Sequence, residues 1–391
     1  MRQIKTIIAG ICRTLLGVVF IFSGAVKAID PLGTVYKIED YLKAFGGFFT
    51  DILPAAEIAA WSLITLELLV GVCMLANVRT RWTSWIALLF YCVMTPLTFY
   101  VALTNPVSDC GCFGDAIVLT NWQTFWKNIV LIVLAIILVA LHKHTHPLWR
   151  GWMEAVIATT TIAIALTFML WTTNHLPVKD FRPYKIGNHL PTIMEDYEPD
   201  QVEFLYVCQK GSIEQTFTAD NYPDSTWICI RVEQNIIKKG YESPIHDFEV
   251  INIDGEDITI DILESTEPVT LVIMYDLAKA DKSQMAKVEE LYYAAQQEIT
   301  LQEEIEEIES CDSINSDSTY IEDVEYSTTN NANFYIITGS STDEFVEEYP
   351  ALSECICTCD PVTLKTIVRA NPGVIVLENG TVIDKYNLKN K

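Results

Sequence analysis

The stretch CGCFGDAIVLTNWQTFWKNIVLIVLAIILVAL, residues 110–141, decides the architecture of the chain. Its second part, residues 121–141, is almost continuously apolar. A helix needs about 20 such residues to cross the hydrocarbon core of a bilayer, so this part predicts a membrane span. Its first part places two cysteines on either side of one glycine, immediately before that span. The sequence therefore predicts a membrane protein with two thiols near the membrane surface.

Four further stretches are long and apolar enough to cross a membrane. Together the predicted spans are residues 7–28, 54–77, 82–103, 121–141 and 155–173. A signal peptide is the alternative for the first span, because Arg2 and Lys5 precede it. The length of that span and the charge of Arg13 inside it favour a membrane helix.

Charge divides the chain into two unlike parts. The sequence has 26 Lys/Arg and 51 Asp/Glu residues, and 11 and 9 of these precede residue 175. The first part therefore has a net charge of +2 and the remainder has a net charge of −27, which together give −25. Such acidity argues against nucleic-acid binding, which needs a basic face. We expect a nearly neutral membrane part joined to an acidic, polar part.

The orientation is predicted from basic residues in short connections, which favour the cytoplasmic side. In the N-terminus and the second and fourth loops they are Arg2, Lys5, Arg79, Arg81, Lys143 and Arg150. These segments should be cytoplasmic. The loop that holds the C-G-C and everything after the fifth span should then face outward.

An outward-facing Cys110-Gly111-Cys112 suits redox chemistry, because thiols oxidise in such compartments. Two cysteines separated by one residue close only a small, strained ring, and strain makes a disulfide labile. Such a bond favours exchange over structural cross-linking. The alternatives are pairing with other cysteines, or free thiols in a rigid loop. We expect no metal site, since two thiolates are too few for zinc and the histidines of residues 142–146 lie across the membrane.

Charged residues inside the predicted spans are the second group of candidates. Glu67 and Lys127 lie well inside the second and fourth spans, where a charge is costly and usually faces a partner or a wet cavity. Lys127 with Glu57 or Glu67 is a candidate ion pair. For Lys27, Arg13 and Glu57, the favoured alternative is that the side chains snorkel to the membrane surface.

Three motifs resemble the DoxX/MauE type of small helical membrane protein. They are FIFSGAVKAIDPLGTVYKIEDYLKAFG, LELLVGVCML, and CGCFGD followed by NWQTFWKNIVL. They lie in the family's order and cover about residues 4–141. The resemblance implies a four-helix bundle, similar in layout to vitamin K epoxide reductase-type proteins, with a fifth span added here. MauE is implicated in forming or processing disulfides in methylamine dehydrogenase.

The resemblance also implies roles for particular residues. It makes Cys110 and Cys112 the catalytic redox pair. Four intramembrane polar residues match recurrent family positions without an assigned role, and they are Lys27, Glu67, Lys127 and Asn128.

The acidic part alternates strand and helix patterns. Short alternating runs at 202–210 and 225–234 predict strands, and Asp254-Gly255 between two such runs predicts a hairpin. The patterns that follow are a buried strand at 269–276, a helix at 282–297 and another strand at 333–340. The last part of the sequence then predicts a helix, a strand, a turn and a strand. This order resembles the thioredoxin fold, with Pro372 where that fold has its cis-proline.

The thioredoxin resemblance has one important departure. The residues after the first buried strand are DLAKADKS, which contain no cysteine. Without a thiolate the domain cannot perform thioredoxin exchange there, so it is interpreted as a docking module. The predicted class is a membrane α-helical bundle followed by an extracytoplasmic α/β thioredoxin-like domain with a β-rich leading segment.

The predicted domain boundaries follow from these patterns. They are a DoxX/MauE-like transmembrane bundle at 1–145, the fifth transmembrane helix at 146–176, a linker and β-rich segment at 177–243, and the thioredoxin-like domain at 244–391. An acidic insert at about 302–329 is expected to be solvated. No D-x-D-x-D-G loop in it supports calcium binding.

A second cysteine motif, ECICTCDP, supplies Cys355, Cys357 and Cys359. Alternate residues of a strand share one face, so the three thiols should project together. They would serve as a redox relay to the C-G-C or form structural disulfides. The candidate partners for such disulfides are Cys208, Cys229 and Cys311. Connectivity is not readable from spacing.

The leading functional hypothesis is thiol–disulfide chemistry, or maturation of partner proteins, at a bacterial inner membrane. Cys110 and Cys112 would exchange electrons with an extracytoplasmic protein client or with a lipid quinone, which would then be the cofactor. The partners expected are membrane lipid and that client. The alternatives are a non-catalytic scaffold or assembly factor and, last, a small-solute transporter, since no inverted repeat is evident.

Overall fold

The computed structural model describes residues 2–107, 110–145, 149, 151–211, 213–238, 240–296 and 333–391. The predicted acidic insert and Cys311 lie outside the described residues. The chain forms two compact units. The first comprises Met1–Arg182, Val368–Gly373 and Tyr386–Lys391, and the second comprises Pro183–Ile367 and Val374–Lys385.

The first unit is helical. Its helices are α1 Arg2–Ile29, α2 Pro31–Phe45, α3 Phe48–Asp51, α4 Ala56–Leu75, α5 Thr80–Thr104, α6 Asn121–Leu141 and α7 Gly151–Asn174. Among them α1, α4, α5, α6 and α7 are long and apolar enough to cross a membrane. The prediction of five spanning helices is confirmed, with ends that differ by a few residues.

Small residues allow α1 and α4 to pack closely. A Cβ atom added to Gly71 of α4 would lie 2.8 Å from the backbone nitrogen of Ile21, and one added to Gly24 of α1 would lie 3.0 Å from that of Leu68. Without a hydrophobic driving force between helices in lipid, such close backbone contact is a main source of association. Helix α1 also contacts α5, because the rings of Phe20 and Tyr91 lie with their centroids 5.4 Å apart.

The connection between the first two spans contains α2, which the sequence analysis did not predict. Asp30 is the N-cap residue of this helix, and its Oδ1 accepts a hydrogen bond of 2.9 Å from the backbone N–H of Gly33. Pro31 follows at the first helical position, where its fixed φ suits a helix start. The Asp-Pro pair is therefore the local signal for α2.

The second unit contains two sheets. A three-stranded antiparallel sheet has the order β2-β1-β3, with β1 Gln201–Lys210, β2 Ile213–Thr218 and β3 Ile228–Lys238. Cys208 on β1 and Cys229 on β3 face each other in register and form a disulfide. Cys208 and Cys229 therefore pair with each other, so their expected pairing with Cys355, Cys357 or Cys359 was wrong.

The second sheet has the order β6-β5-β4-β7-β8. Its strands are β4 Val269–Met274, β5 Phe334–Thr338, β6 Ile356–Thr358, β7 Gly373–Glu378 and β8 Thr381–Asn387. Strand β5 runs parallel to both β4 and β6. Asn379 and Gly380 join β7 to β8, and both have positive φ, as a two-residue type I′ hairpin requires. The Asn371–Pro372 peptide bond is cis.

Short helices accompany these strands. They are α8 Leu190–Glu195, α9 Thr259–Glu264, α10 over residues 285–296, α11 Asp343–Glu348 and α12 Pro361–Ile367. The predicted helix at 282–297 corresponds to α10, whose described part ends at residue 296.

The sequence prediction around Asp254-Gly255 was partly wrong. A tight turn forms, with Gly255 at φ 84° and an isolated bridge between Ile251 and Asp257. The expected second strand is instead α9, which begins at Thr259. Asp257 accepts a hydrogen bond of 2.9 Å from the backbone N–H of Thr259, and this local bond favours a helix start over a strand.

Candidate functional site

The C-G-C motif lies in the connection between α5 and α6, just before a 3-10 turn at Gly114–Ala116. The sulfur atoms of Cys110 and Cys112 are 3.1 Å apart, as free thiols. A disulfide needs about 2.05 Å, so the bond forms after an approach of roughly 1 Å. Gly111 between them has φ 65°, a region that favours glycine. The local backbone thus holds both thiols on one side of the turn.

Hydrogen bonds hold this loop against the helices. The Ser23 hydroxyl on α1 donates to the backbone carbonyl of Cys112 over 2.7 Å. The Asn121 amide at the start of α6 donates to the Val107 carbonyl over 3.1 Å. Both sides of the motif are therefore fixed to spanning helices, which positions the thiols more precisely than a free loop does.

The two thiols differ in acidity. The hydrogen bond from Cys110 is the main reason that the pKa of Cys112 falls to about 6, and the positive charges of Lys127 and Lys27 act in the same direction against burial. The pKa of Cys110 is raised, because its proton is held by Cys112 and because it is buried. The pair therefore holds one thiolate, on Cys112, near neutral pH.

Lys127 is brought to the C-G-C by the first turns of α6. Its ammonium lies 4.3 Å from the centre of the Phe113 ring, in a cation–π contact. Phe113 in turn packs edge-on against Phe22 of α1, with centroids 5.3 Å apart. The aromatic contact holds a positive charge beside the thiolate. The predicted ion pair of Lys127 with Glu57 or Glu67 was wrong.

Glu67 pairs instead with Lys27. The Lys27 ammonium donates to both carboxylate oxygens of Glu67, over 2.7 and 2.9 Å. Their side chains are only 6% and 3% exposed. The prediction that Lys27 snorkels was therefore wrong, because a partner on α4 lies within reach and lets the ammonium stay buried.

Two further polar residues of the spans bind neither Glu67 nor Lys27. The Asn128 amide donates to the Thr98 hydroxyl over 3.2 Å and joins α6 to α5. Arg13 donates to the carbonyls of Met74 and Leu75 at the end of α4. Asn128 lies in the wall of the cavity described next, whereas Arg13 does not.

A cavity of about 390 Å³ opens beside the thiols. Its walls are mainly apolar side chains of the helix bundle, among them Phe20, Tyr91 and Leu131. Cys110, Cys112, Lys27, Glu67 and Lys127 also line it. A largely apolar cavity with a few convergent polar groups is the usual form of a small-molecule site. The residues predicted from sequence for the membrane part thus converge on one place.

A buried ion-pair cluster of the same unit lies around Asp30, which also lines the cavity. The Arg369 Nε lies 2.9 Å from Asp30 Oδ2, and the Arg369 Nη2 lies 3.5 Å from Asp115 Oδ2. Burial tends to raise the pKa of Asp30, but the positive charges of Arg369 and Arg182 hold it below its ordinary value. Asp30 is therefore ionised at neutral pH.

The second cysteine motif lies in the second unit, on and beside β6. Cys355, Cys357 and Cys359 are buried free thiols. Burial raises the pKa of Cys357 to about 12 and that of Cys359 to about 11. Such thiols are poor nucleophiles at neutral pH. Within the described residues, no group of three or more His, Cys, Asp and Glu side chains could hold a metal ion.

Sequence reasoning missed Ser23 and Arg369 as members of the site. Ser23 had a usable signal, because it lies four residues before Lys27 and therefore on the same face of α1. Arg369 had none, since it is far from Asp30 in sequence and only folding brings the two together.

Comparison with known protein families supports the N-terminal interpretation. The family model of methylamine utilisation protein MauE matches residues 5–141, and a domain of unknown function, DUF8463, matches residues 202–239. No curated protein and no solved structure matches the chain. The MauE match covers α1 to α6 and the C-G-C loop, and it confirms the MauE resemblance seen in the motifs. Residues 5–141 are therefore similar to the MauE family of membrane proteins.

Proposed function

We propose that this membrane protein performs thiol–disulfide exchange with Cys110 and Cys112 as its redox pair. The observation that carries the proposal is the pair of sulfurs 3.1 Å apart beside an apolar cavity. Lys127 favours the thiolate form of Cys112 there. A thiolate is the nucleophile and the better leaving group in exchange, so the pair has the required asymmetry.

The exchange with a client dithiol can be written so that electrons balance. A client thiolate attacks the Cys110 sulfur of the Cys110–Cys112 disulfide, and Cys112 leaves as the thiolate. The second client thiolate then attacks the client sulfur of the mixed disulfide, and Cys110 leaves and takes up a proton. The client loses two electrons and gains a disulfide, while the pair gains two electrons.

Reoxidation of the pair requires a two-electron acceptor. A lipid quinone would supply that chemistry, since it takes up two electrons and two protons on reduction. The apolar walls of the cavity suit an apolar ring, and Lys127 and Asn128 line the same cavity as hydrogen-bond donors. These residues would hold such a ring next to the thiols.

The remaining parts of the chain complete the proposal. The arrangement of basic residues in short loops supports a cytoplasmic N-terminus, with the C-G-C and the acidic part outside the inner membrane. The five-stranded sheet, with β5 between parallel neighbours and a closing hairpin, supports a thioredoxin-like domain. Residues 276–283 contain no cysteine, so its role would be to dock the client.

A glutathione titration tests the function. The full-length protein in lipid nanodiscs is equilibrated with defined ratios of reduced to oxidised glutathione, quenched in acid, and its loop peptides are measured by mass spectrometry. We expect a reversible Cys110–Cys112 disulfide with a reduction potential above about −300 mV. Structural disulfides usually have potentials below that value. A Cys110→Ser/Cys112→Ser variant is the control. Thiols that stay reduced at every ratio would exclude the proposed function and favour the scaffold alternative.

A further inference from the structure

The buried ion pair of Lys27 and Glu67 has no part in the exchange steps above. Two charges buried among membrane-spanning helices are expensive, and a buried pair is weak evidence for added stability. Such residues are therefore candidates for a functional role. The contacts of Lys27 beyond Glu67 show which role the pair can have.

Lys27 also reaches the C-G-C loop through one intermediate. Its ammonium donates to the Ser23 hydroxyl over 2.9 Å, in addition to its contacts with Glu67. The Ser23 hydroxyl then donates to the Cys112 carbonyl over 2.7 Å. The contacts form a continuous series from α4 through α1 to the backbone of the second cysteine.

In this series of hydrogen bonds, the donor and the acceptor of each bond are fixed. A serine hydroxyl has a single proton to donate. Because the Lys27 ammonium carries only donors, Ser23 accepts from it and its own proton is left for the Cys112 carbonyl. Both carboxylate oxygens of Glu67 accept from the same ammonium and hold it in place. The ion pair therefore determines the orientation of the hydroxyl that anchors Cys112.

We propose that Glu67, Lys27 and Ser23 are positioning residues that hold Cys112 at the distance from Cys110 required for disulfide formation. This inference rests on the proposed function of the C-G-C. The charges of Lys27 and Glu67 oppose each other at the Cys112 sulfur, so their joint effect is chiefly geometric. The charged and titratable groups that face Cys112 are Cys110 in the loop, Lys27 on α1, Glu67 on α4, Tyr91 on α5 and Lys127 on α6.

Ser23→Ala tests the inference, because it removes the anchor and leaves every charge in place. The rate of Cys110–Cys112 disulfide formation with oxidised glutathione should fall on the order of tenfold, since misplacement of reacting groups by a fraction of an ångström is costly. The pH midpoint of Cys112 alkylation should stay within about half a pH unit of wild type. Alanine favours helices, so α1 should be retained. Ser23→Thr, which keeps the hydroxyl, should restore the rate.

A charge swap tests the direction of the series. In Lys27→Glu/Glu67→Lys the ion pair persists, but the carboxylate next to Ser23 now accepts the hydroxyl proton. The swap should therefore be as slow as Ser23→Ala. Wild-type rates in Ser23→Ala or in the swap would overturn the inference while leaving the proposed function intact. A wild-type protein that forms no disulfide at all would instead overturn both.

Discussion

Cys110→Ser should leave a thiol at Cys112 that alkylates with a midpoint near pH 6, the pKa of that thiol in the pair. The serine hydroxyl can still donate to the Cys112 sulfur, and Lys127 and Lys27 remain. Cys112→Ser should instead leave Cys110 with a pKa at or above the ordinary 8.5 or so, because burial is then its largest influence. The two single variants should thus differ by at least about 2.5 pH units.

This difference has a kinetic consequence at acidic pH. At pH 6 about half of Cys112 is thiolate but only about 0.3% of an ordinary thiol is, a gap of roughly 160-fold. The higher nucleophilicity of the more basic thiolate reduces that gap by a factor of roughly 10 to 20. Cys110→Ser should therefore react about tenfold faster with a small disulfide than Cys112→Ser. Peptide-resolved mass spectrometry separates these thiols from the exposed Cys92. Equal rates, or a faster Cys112→Ser variant, would show that the thiolate is wrongly assigned.

Lys127→Met should raise the pKa of Cys112, because it removes the largest charge that favours the thiolate. Loss of a close opposite charge changes a pKa by about one to three pH units. With a rise of about 2 pH units from about 6, the thiolate fraction at pH 7 falls from about nine-tenths to about one-tenth. The measurement is the alkylation rate of Cys112 between pH 5 and pH 9, in the Cys110→Ser background.

Two matched variants make the Lys127 result specific. Lys127→Arg keeps the charge and should keep the low midpoint. Lys143→Met makes the same substitution at the other end of the same spanning segment, about 24 Å away at 1.5 Å per residue, beyond the range of screened electrostatics. It should leave the midpoint unchanged. A midpoint in Lys127→Met that equals the wild-type value would exclude Lys127 as the stabilising charge.

Much of the membrane part could be predicted from the sequence, because lipid imposes a strong constraint on length and composition. The five spans follow from their apolar runs, and the C-G-C follows from its position between two of them. Helix α2 was missed, although the Asp30-Pro31 pair signals a helix start.

The pairing of charges could not be predicted, because helix spacing shows which residues share a face and leaves open which faces meet. The sequence analysis considered Lys127 as the cation for Glu67, and only the packing of α1 on α4 shows that Lys27 is its partner. The packing of Phe113 against Lys127 depends likewise on the turn of the loop. Strand β6 is only three residues long, so of the three cysteines in the motif that was treated as a strand only Cys357 lies within it.

The most direct test of the account is the redox state of Cys110 and Cys112 in native membranes. Free thiols are alkylated in intact membranes, disulfides are then reduced and labelled with a second reagent, and each peptide is measured by mass spectrometry. The buried Cys355 and Cys357 serve as internal controls for access. We predict a mixed population, with part of the pair joined as a Cys110–Cys112 disulfide that disappears under mild reductant. Uniformly free thiols, or a fully oxidised pair that resists the reductant, would contradict a working redox centre.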